Sequence, residues 1–253
     1  MNISPVKNYN LSFCANNVNY LRSTIDGRRK YACCYTRMFR SDLDWNLLSY
    51  YLENKYKNAQ KVNVLNAACS DGSEPYSLAM ILDKKISGGK KFFPIEAFDC
   101  SKLLIDDANK GIISLSPSDV DKFDYYNLDI DDYMKPSYES VYKRSEEGSI
   151  PYFVAPVLRN KVNFSCGDIL SKLSKMDNKT PNTVLLCRNM IPYLSINEIS
   201  ELFKLINKKL GRNSAVIIGS YDLDRLGGYI DVKMRQINFK EAELFRGSLV
   251  YEN

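Results

Sequence analysis

The amino-acid sequence predicts an α/β protein built on an open, doubly wound, mostly parallel sheet. Three observations carry this. Short apolar runs at 62–66, 92–98, 162–166, 182–189 and 215–218 have the length and residue types of buried strands. Helical patterns at 74–86, 101–109 and 195–210 fall between them. Strands alternating with helices imply a parallel sheet covered on both faces, with ligands at its carboxyl edge.

In chain order, residues 1 to about 30 are polar and Asn-rich, ending in the basic run Arg28-Arg29-Lys30, and read as an arm. From Asp42 to Lys57, the apolar positions Leu43, Leu47, Tyr50, Tyr51 and Leu52 recur at helical spacing. The strand at 62–66 runs into a turn of small residues, A-A-C-S-D-G. The helix after it takes Ser73 as N-cap and Pro75 in its first turn. The second strand, Phe92 to Phe98, ends at Asp99, and Ser101 caps a helix closed by Gly111. Residues 112–161 break the rhythm, being Tyr- and Asp-rich and then Y-F-V-A-P-V-L, and read as an inserted subdomain with some antiparallel strand. In the helix from Ser195 to Leu210, Ser195 and Glu198 form a capping box, with Ile196, Ile199, Phe203, Ile206 and Leu210 on one face. Two closing runs, E-A-E-L-F and S-L-V-Y-E, pair as antiparallel strands. Residues 1–57 thus form an N-terminal arm and helical segment, and 58–253 the main domain.

Composition narrows the chemistry. At 253 residues the chain can bury one substantial core plus a small appendage. It contains no histidine, which removes the commonest general base and the usual zinc ligands. Catalysis must run on carboxylates, tyrosine, arginine, lysine or a cofactor. The seven cysteines (14, 33, 34, 69, 100, 166 and 187) form no C-x-x-C and read as reduced thiols, mostly buried. The net charge of +5 is mild and dispersed, and suits an acidic protein partner as well as nucleic acid. With no secretory signal and no apolar run near the roughly 18 residues a bilayer requires, the chain reads as cytoplasmic.

Three segments can carry function. The turn after the first strand has the small residues that let backbone approach a ligand, although it lacks the G-x-G-x-x-G pattern. Asp99 can bind ribose hydroxyls or serve as a helix N-terminal acid. C-R-N-M-I-P-Y at 187–193 packs arginine, asparagine, proline and tyrosine directly after a buried strand, as a site or as a strand cap with a packed tyrosine.

Together, Y-T-R-M-F-R-S (35–41), N-A-A-C-S-D-G-S-E-P-Y-S-L-A (66–79), F-D-C-S (98–101) and L-C-R-N-M-I-P-Y-L (186–194) resemble the CheR family of chemotaxis receptor glutamate methyltransferases, in order and spacing. The resemblance implies a class I S-adenosylmethionine methyltransferase fold and S-adenosyl-L-methionine as donor. It matches Thr36 and Arg40 to positions contacting the donor and the reacting centre, and Ala68 and Glu74 to positions around its methionine part. Asp99 matches the ribose-binding acid. Asp168 and Ile169 match a pair beside the adenine, Asn189 and Met190 the N-V of C-R-N-V, and Tyr193 the active-site tyrosine. Arg40 and Tyr193 are the implied catalytic residues. The sequence departs from the family at Cys34, Ser73, Asp168 and Pro192, and its N-terminal region is shorter than the family's helical domain.

The implied activity is methyl esterification of carboxylates, such as glutamate side chains of a chemoreceptor cytoplasmic domain. The implied protein is a monomer with no metal and no nucleic-acid partner. It needs no histidine, because a carboxylate is ionised at neutral pH and requires no base. Two other readings stay open. One is amino-group methylation, since N-M-I-P-Y resembles N-P-P-Y with one extra residue between Asn and Tyr. The other is a donor-binding module without catalysis. Arg40 can also pair simply with Asp42 or Asp44, Glu74 can be a first-turn helix acid, and Tyr76 a core residue.

Overall fold

The computed structural model describes residues 36–138 and 148–253. The basic run at 28–30, Cys14, Cys33, Cys34 and part of the predicted insertion lie outside the described residues. Helix α1 spans Trp45–Lys55, β1 Asn63–Ala67, α2 Ser73–Lys85, β2 Ile95–Asp99 and α3 Lys102–Lys110. The next stretch holds β3 (Ile112–Leu115), α4 (Pro117–Tyr125), α5 (Ile130–Tyr133), β4 (Met134–Pro136), β5 (Ile150–Val154) and α6 (Pro156–Arg159). Then come β6 (Val162–Cys166), α7 (Ile169–Lys175), β7 (Thr183–Cys187) and α8 (Ile196–Lys209). The chain ends with β8 (Ala215–Ile218), α9 (Ser220–Gln236), β9 (Lys240–Phe245) and β10 (Ser248–Glu252).

Seven strands form one sheet in the order β6-β2-β1-β7-β8-β10-β9. The first five are mutually parallel; β10 runs antiparallel to both β8 and β9. From β1 the chain moves outward to β2 and β6, then returns to β7 on the other side. This reversal opens a crevice above the carboxyl ends of β1 and β7, where the connections diverge to opposite faces. One apolar cluster covers the face carrying Val64, Leu186 and Ile217, and includes Trp45, Leu48 and Leu82 from α1 and α2. A second covers the face carrying Leu185, Val216 and Ile218, and includes residues of α7, α8 and α9. The predicted doubly wound sheet is therefore present, and β3-β5-β4 form a small antiparallel sheet inserted between α3 and β6.

Several local expectations change. In α1 the buried stripe is Trp45, Leu48, Ser49 and Leu52, while Leu47 and Tyr50 face solvent. The Asp44 side chain fixes this phase by accepting from the Asn46 and Leu47 amides. The second strand starts at Ile95 rather than Phe92, because Gly89–Phe92 form a 3-10 turn and Pro94 has no amide to give to a ladder. Gly72, at φ 90°, is the N-cap of α2 instead of Ser73. Ser73 begins the helix, with its amide and hydroxyl both donating to Asp71. The Ser195–Glu198 capping box forms, but Ile196 is exposed rather than part of the apolar face. Residues 220–236, to which the sequence reading gives no element, form the long helix α9 despite Gly227-Gly228. The predicted insertion adds α4, started by a second capping box between Ser116 and Asp119.

The segment before α1 is fastened to the core. Phe39 is buried, its ring packing against Trp45, Phe123 and Tyr126 at centroid distances of 6.0, 5.3 and 5.0 Å. Its amide donates to Ser77 Oγ at 2.8 Å. Truncating such a ring removes its contacts and leaves a void. Phe39→Ala is expected to lower unfolding free energy by about 3–5 kcal/mol in urea titrations, whereas exposed Tyr50→Ala changes it by less than about 0.5 kcal/mol.

Candidate functional site

The turn from Ala68 to Gly72 lies at the carboxyl end of β1. Ala68 and Ser70 both hold left-handed backbone at φ 53°. Such residues cost energy unless the surroundings impose them, and they commonly mark ligand-binding turns. Here β2 helps to impose the shape, with Cys69 N donating to Phe98 O (3.1 Å) and Ser70 N to Asp99 Oδ2 (3.0 Å). Asp99 Oδ1 accepts from Ser101 N at 2.8 Å, so the helix-terminal reading of this acid is also satisfied. The Cys100 side chain also hydrogen-bonds to this carboxylate, which with about four acceptor positions has room for a further donor. Burial pushes the Asp99 carboxyl above its ordinary value, against the amide hydrogen bonds from Ser101 and Ser70 and the one from the Cys100 side chain.

Beside this turn is a pocket of about 210 Å³. It brings together Ala68, Asp99, Asp168, Ile169 and Met190, with Phe98, Leu170 and Leu194 supplying apolar wall. Asp168 is the N-cap of α7, its Oδ1 accepting from Ser171 N at 2.8 Å. An acid serves better than an amide beside the positive end of a helix, which accounts for its presence there.

Three of the remaining expected residues, Arg40, Glu74 and Asn189, join through Asp42 or directly to a cation to which the sequence assigns no role, Arg188. Its side chain is fully buried, and its Nη1 donates to Glu74 Oε2. Nη2 donates to Asp42 Oδ1 at 2.6 Å and Nε to Ser248 Oγ at 3.2 Å. The guanidinium also sits 5.9 Å from the centre of the Trp45 ring. Glu74, in the first turn of α2, accepts at Oε1 from Asn66 Nδ2 at 2.8 Å. Asp42 Oδ1 pairs with Arg40 Nε at 3.3 Å, and Oδ2 accepts from Asn189 Nδ2 (3.1 Å) and Ser220 Oγ (3.0 Å). The charges therefore run Arg40, Asp42, Arg188, Glu74 in alternating sign. Burial raises the Asp42 carboxyl, but the Arg188 and Arg40 guanidinia and the bonds from Asn189 and Ser220 outweigh it and hold the group below its ordinary value.

The loop after β7 is shaped by a second buried acid, Asp222. It accepts from the amides of Asn189, Ile191 (2.8 Å) and Gly219 (3.1 Å). Asn189, at φ 58°, accepts at Oδ1 from Tyr221 N at 2.9 Å. A Cβ at Gly219 would come within 2.5 Å of that Asn189 oxygen, so glycine is required there. Tyr193 ends the short 3-10 turn Ile191–Tyr193, half exposed, its ring 5.9 Å from that of Tyr221. Thr36, also half-buried, stands at the beginning of the described residues.

Arg188 had one legible signal, an arginine immediately following five buried strand residues, which requires acids nearby. Asp42 was legible only as a partner for Arg40, a pair that does form, and its bond to Arg188, 146 positions away in the chain, left no signal. Tyr76 is core, as its alternative reading held, with its hydroxyl donating to Ala108 O at 3.1 Å. Of the described cysteines, Cys69 and Cys187 are buried, Cys100 is half-buried and Cys166 exposed.

A crevice at the turning point of a doubly wound sheet, with an acid ending the second strand and an apolar slot beside it, defines an α/β domain that binds a nucleoside-containing cofactor. The chain belongs to the family described as CheR methyltransferase, SAM binding domain, whose model matches residues 35–226. A Pseudomonas aeruginosa protein named "Probable biofilm formation methyltransferase WspC" is 26% identical over 192 residues, covering 74% of this chain and 41% of that protein. A "Chemotaxis protein methyltransferase" of Borreliella burgdorferi is 25% identical over 197 residues, covering 73% of this chain and 62% of its own length. The chain thus spans 41% and 62% of these two relatives. A solved methyltransferase structure from Geobacter sulfurreducens matches 82% of this chain and 76% of its own at 13% identity, with a TM-score of 0.45.

The cofactor of this family is S-adenosylmethionine, and the residues present fit it. Ser70 Oγ and Asn66 Oδ1 are buried beside the turn without a hydrogen-bond partner among the described residues, an expensive arrangement that a polar ligand relieves. The acids Asp99, Glu74 and Asp168 suit a donor bearing a sulfonium and an ammonium. Among the described residues no helix is long and apolar enough to cross a membrane, and no cluster of metal-ligating side chains occurs.

The depressed Asp42 carboxyl carries a pH consequence. Its stabilising contribution is complete above its ordinary value of 3.8 and disappears as pH falls through the lower folded value. Thermal melts of wild type and Asp42→Asn are expected to converge as pH is lowered toward 3, with the variant less stable at pH 7.

Proposed function

We propose that this chain is an S-adenosylmethionine-dependent O-methyltransferase that forms methyl esters on carboxylates, namely glutamate side chains of a protein such as a chemoreceptor cytoplasmic domain. The observation that carries this reading is the shared charge network. Arg40, the carboxylate-binding candidate, is tied through Asp42 to the same guanidinium that holds Glu74, the donor-side acid. Acceptor and donor groups are thereby held in one frame.

In this reading Asp99 and Ser70 take the ribose, and Asp168, Ile169 and Met190 line the adenine slot. Ala68, Glu74 and Asn189 surround the methionine part, with Thr36 and Arg40 closing over the donor. Bound S-adenosylmethionine supplies a methyl carbon activated by its sulfonium. Arg40 orients the acceptor carboxylate through its planar fork, and the Tyr193 hydroxyl donates to one carboxylate oxygen. No proton needs removal from an ionised carboxylate, in keeping with a histidine-free chain. The work of these side chains is alignment and exclusion of water. Amino-group methylation is less well supported, because both ends of the Asn189 amide are engaged, by Asp42 and by Tyr221. The name of the Borreliella relative, a chemotaxis protein methyltransferase, supports a protein acceptor. The proposed protein acts in the cytoplasm as a monomer.

Incubation with labelled donor and either membranes or acidic proteins tests the reaction. Label released as methanol by mild base is the expected result; base-stable label means nitrogen methylation, and donor binding without transfer means a non-catalytic module. Asp99→Ala is expected to weaken S-adenosylhomocysteine binding on the order of tenfold or more by calorimetry. Arg40→Ala should chiefly reduce turnover, and an equal loss of donor affinity in both variants would contradict its role toward the acceptor.

A further inference from the structure

We propose that Arg188 and Asp42 are positioning residues that hold the Glu74 carboxylate for the amino-acid end of the donor. The inference rests on the donor-binding reading above and extends it to two residues outside that assignment.

Glu74 is fixed from two sides, with Arg188 donating to Oε2 and Asn66 Nδ2 to Oε1. A carboxylate has about four acceptor positions, so both oxygens can still accept from an ammonium. Arg188 alone, however, would neutralise Glu74 and leave little attraction for an incoming cation. Asp42 prevents this by taking the other side of the guanidinium. Around the Arg188 guanidinium one positive charge then faces two negative ones, and Arg40 on the far side of Asp42 brings the four groups to neutrality. The Arg40 contact with Asp42 is longer, at 3.3 Å, and is made by a side chain that is 24% exposed, where solvent weakens it.

A second observation points the same way. Asn66 is fully buried and its Oδ1 has no hydrogen-bond partner among the described residues. The bond from its Nδ2 to a carboxylate fixes which end of the amide is the acceptor. A carboxylate and an unpaired amide oxygen on adjoining side chains together call for a ligand with several N–H donors and a positive charge. The amino-acid end of the donor supplies such a group.

The test compares two probes, S-adenosylhomocysteine and 5′-methylthioadenosine, which keeps the nucleoside and the thioether but lacks the amino-acid end. Arg188→Lys keeps the charge but loses the fork; Asp42→Asn keeps the shape but loses the charge. Circular dichroism verifies folding, and Asp42→Asn carries the test alone if Arg188→Lys does not fold. In each variant the Kd for S-adenosylhomocysteine should rise on the order of tenfold, while that for 5′-methylthioadenosine stays within about twofold. Asp99→Ala, the control, should weaken both probes. Equal losses for both probes in the Arg188 and Asp42 variants would reduce these residues to a structural role and overturn the inference, as would unchanged S-adenosylhomocysteine affinity. If the wild-type chain binds neither probe, the donor reading fails first and the inference with it.

Discussion

The buried guanidinium of Arg188 is the interaction around which the carboxyl edge of this sheet is organised. Removing a charge from water costs several kcal/mol, and only well-placed opposite charges and hydrogen bonds offset it. Here those partners come from separate parts of the chain: Asp42 before α1, Glu74 in α2 and Ser248 at the start of β10. Trp45 closes over the cation from α1. None of these groups is near Arg188 in sequence, so the cation is satisfied only once the sheet has formed and α1 has docked. The network thus links the tertiary fold to the shape of the crevice. An isolated surface ion pair could not do this, since solvent would screen it and its side chains would be mobile.

That dependence also explains what was legible in the sequence. Local rules identified the parallel strands, the Ser101 and Ser195 caps, the C-terminal hairpin and the acid ending β2, because each reports on a few neighbouring residues. Asp99 was found because its place at a strand end is a local property. Arg188 is just as central, yet its role depends on acids at positions 42 and 74, and pairings of that range leave no periodic trace. Helix α9 was missed for a different reason. Its Gly227-Gly228 pair lowers helix propensity, and packing of Ile230 and Met234 against the second core overrides that preference. The phase of α1 was misread because Leu47 and Tyr50 fit an apolar stripe on paper, whereas the Asp44 cap and the burial of Trp45 select another.

The acids around the crevice divide into two kinds by their neighbours. Asp42 faces two guanidinia and is held below its ordinary value, so it remains charged and can fix Arg188 and Arg40. Asp222 has no cation among the groups that shift it, and burial pushes it up to about 6 despite the backbone amides it accepts. Those amides belong to the turns around Asn189 and Gly219. Asp222 therefore acts as a backbone clamp, keeping Asn189 in its left-handed conformation and Met190 against the pocket wall. Asp42 acts on charge and Asp222 on shape, and the two meet at Asn189, whose side chain donates to Asp42 while its amide donates to Asp222. A site assembled this way can dispense with histidine. The reaction proposed for it asks for fixed charges and a fixed backbone at the crevice, with no group that must gain or lose a proton near neutral pH.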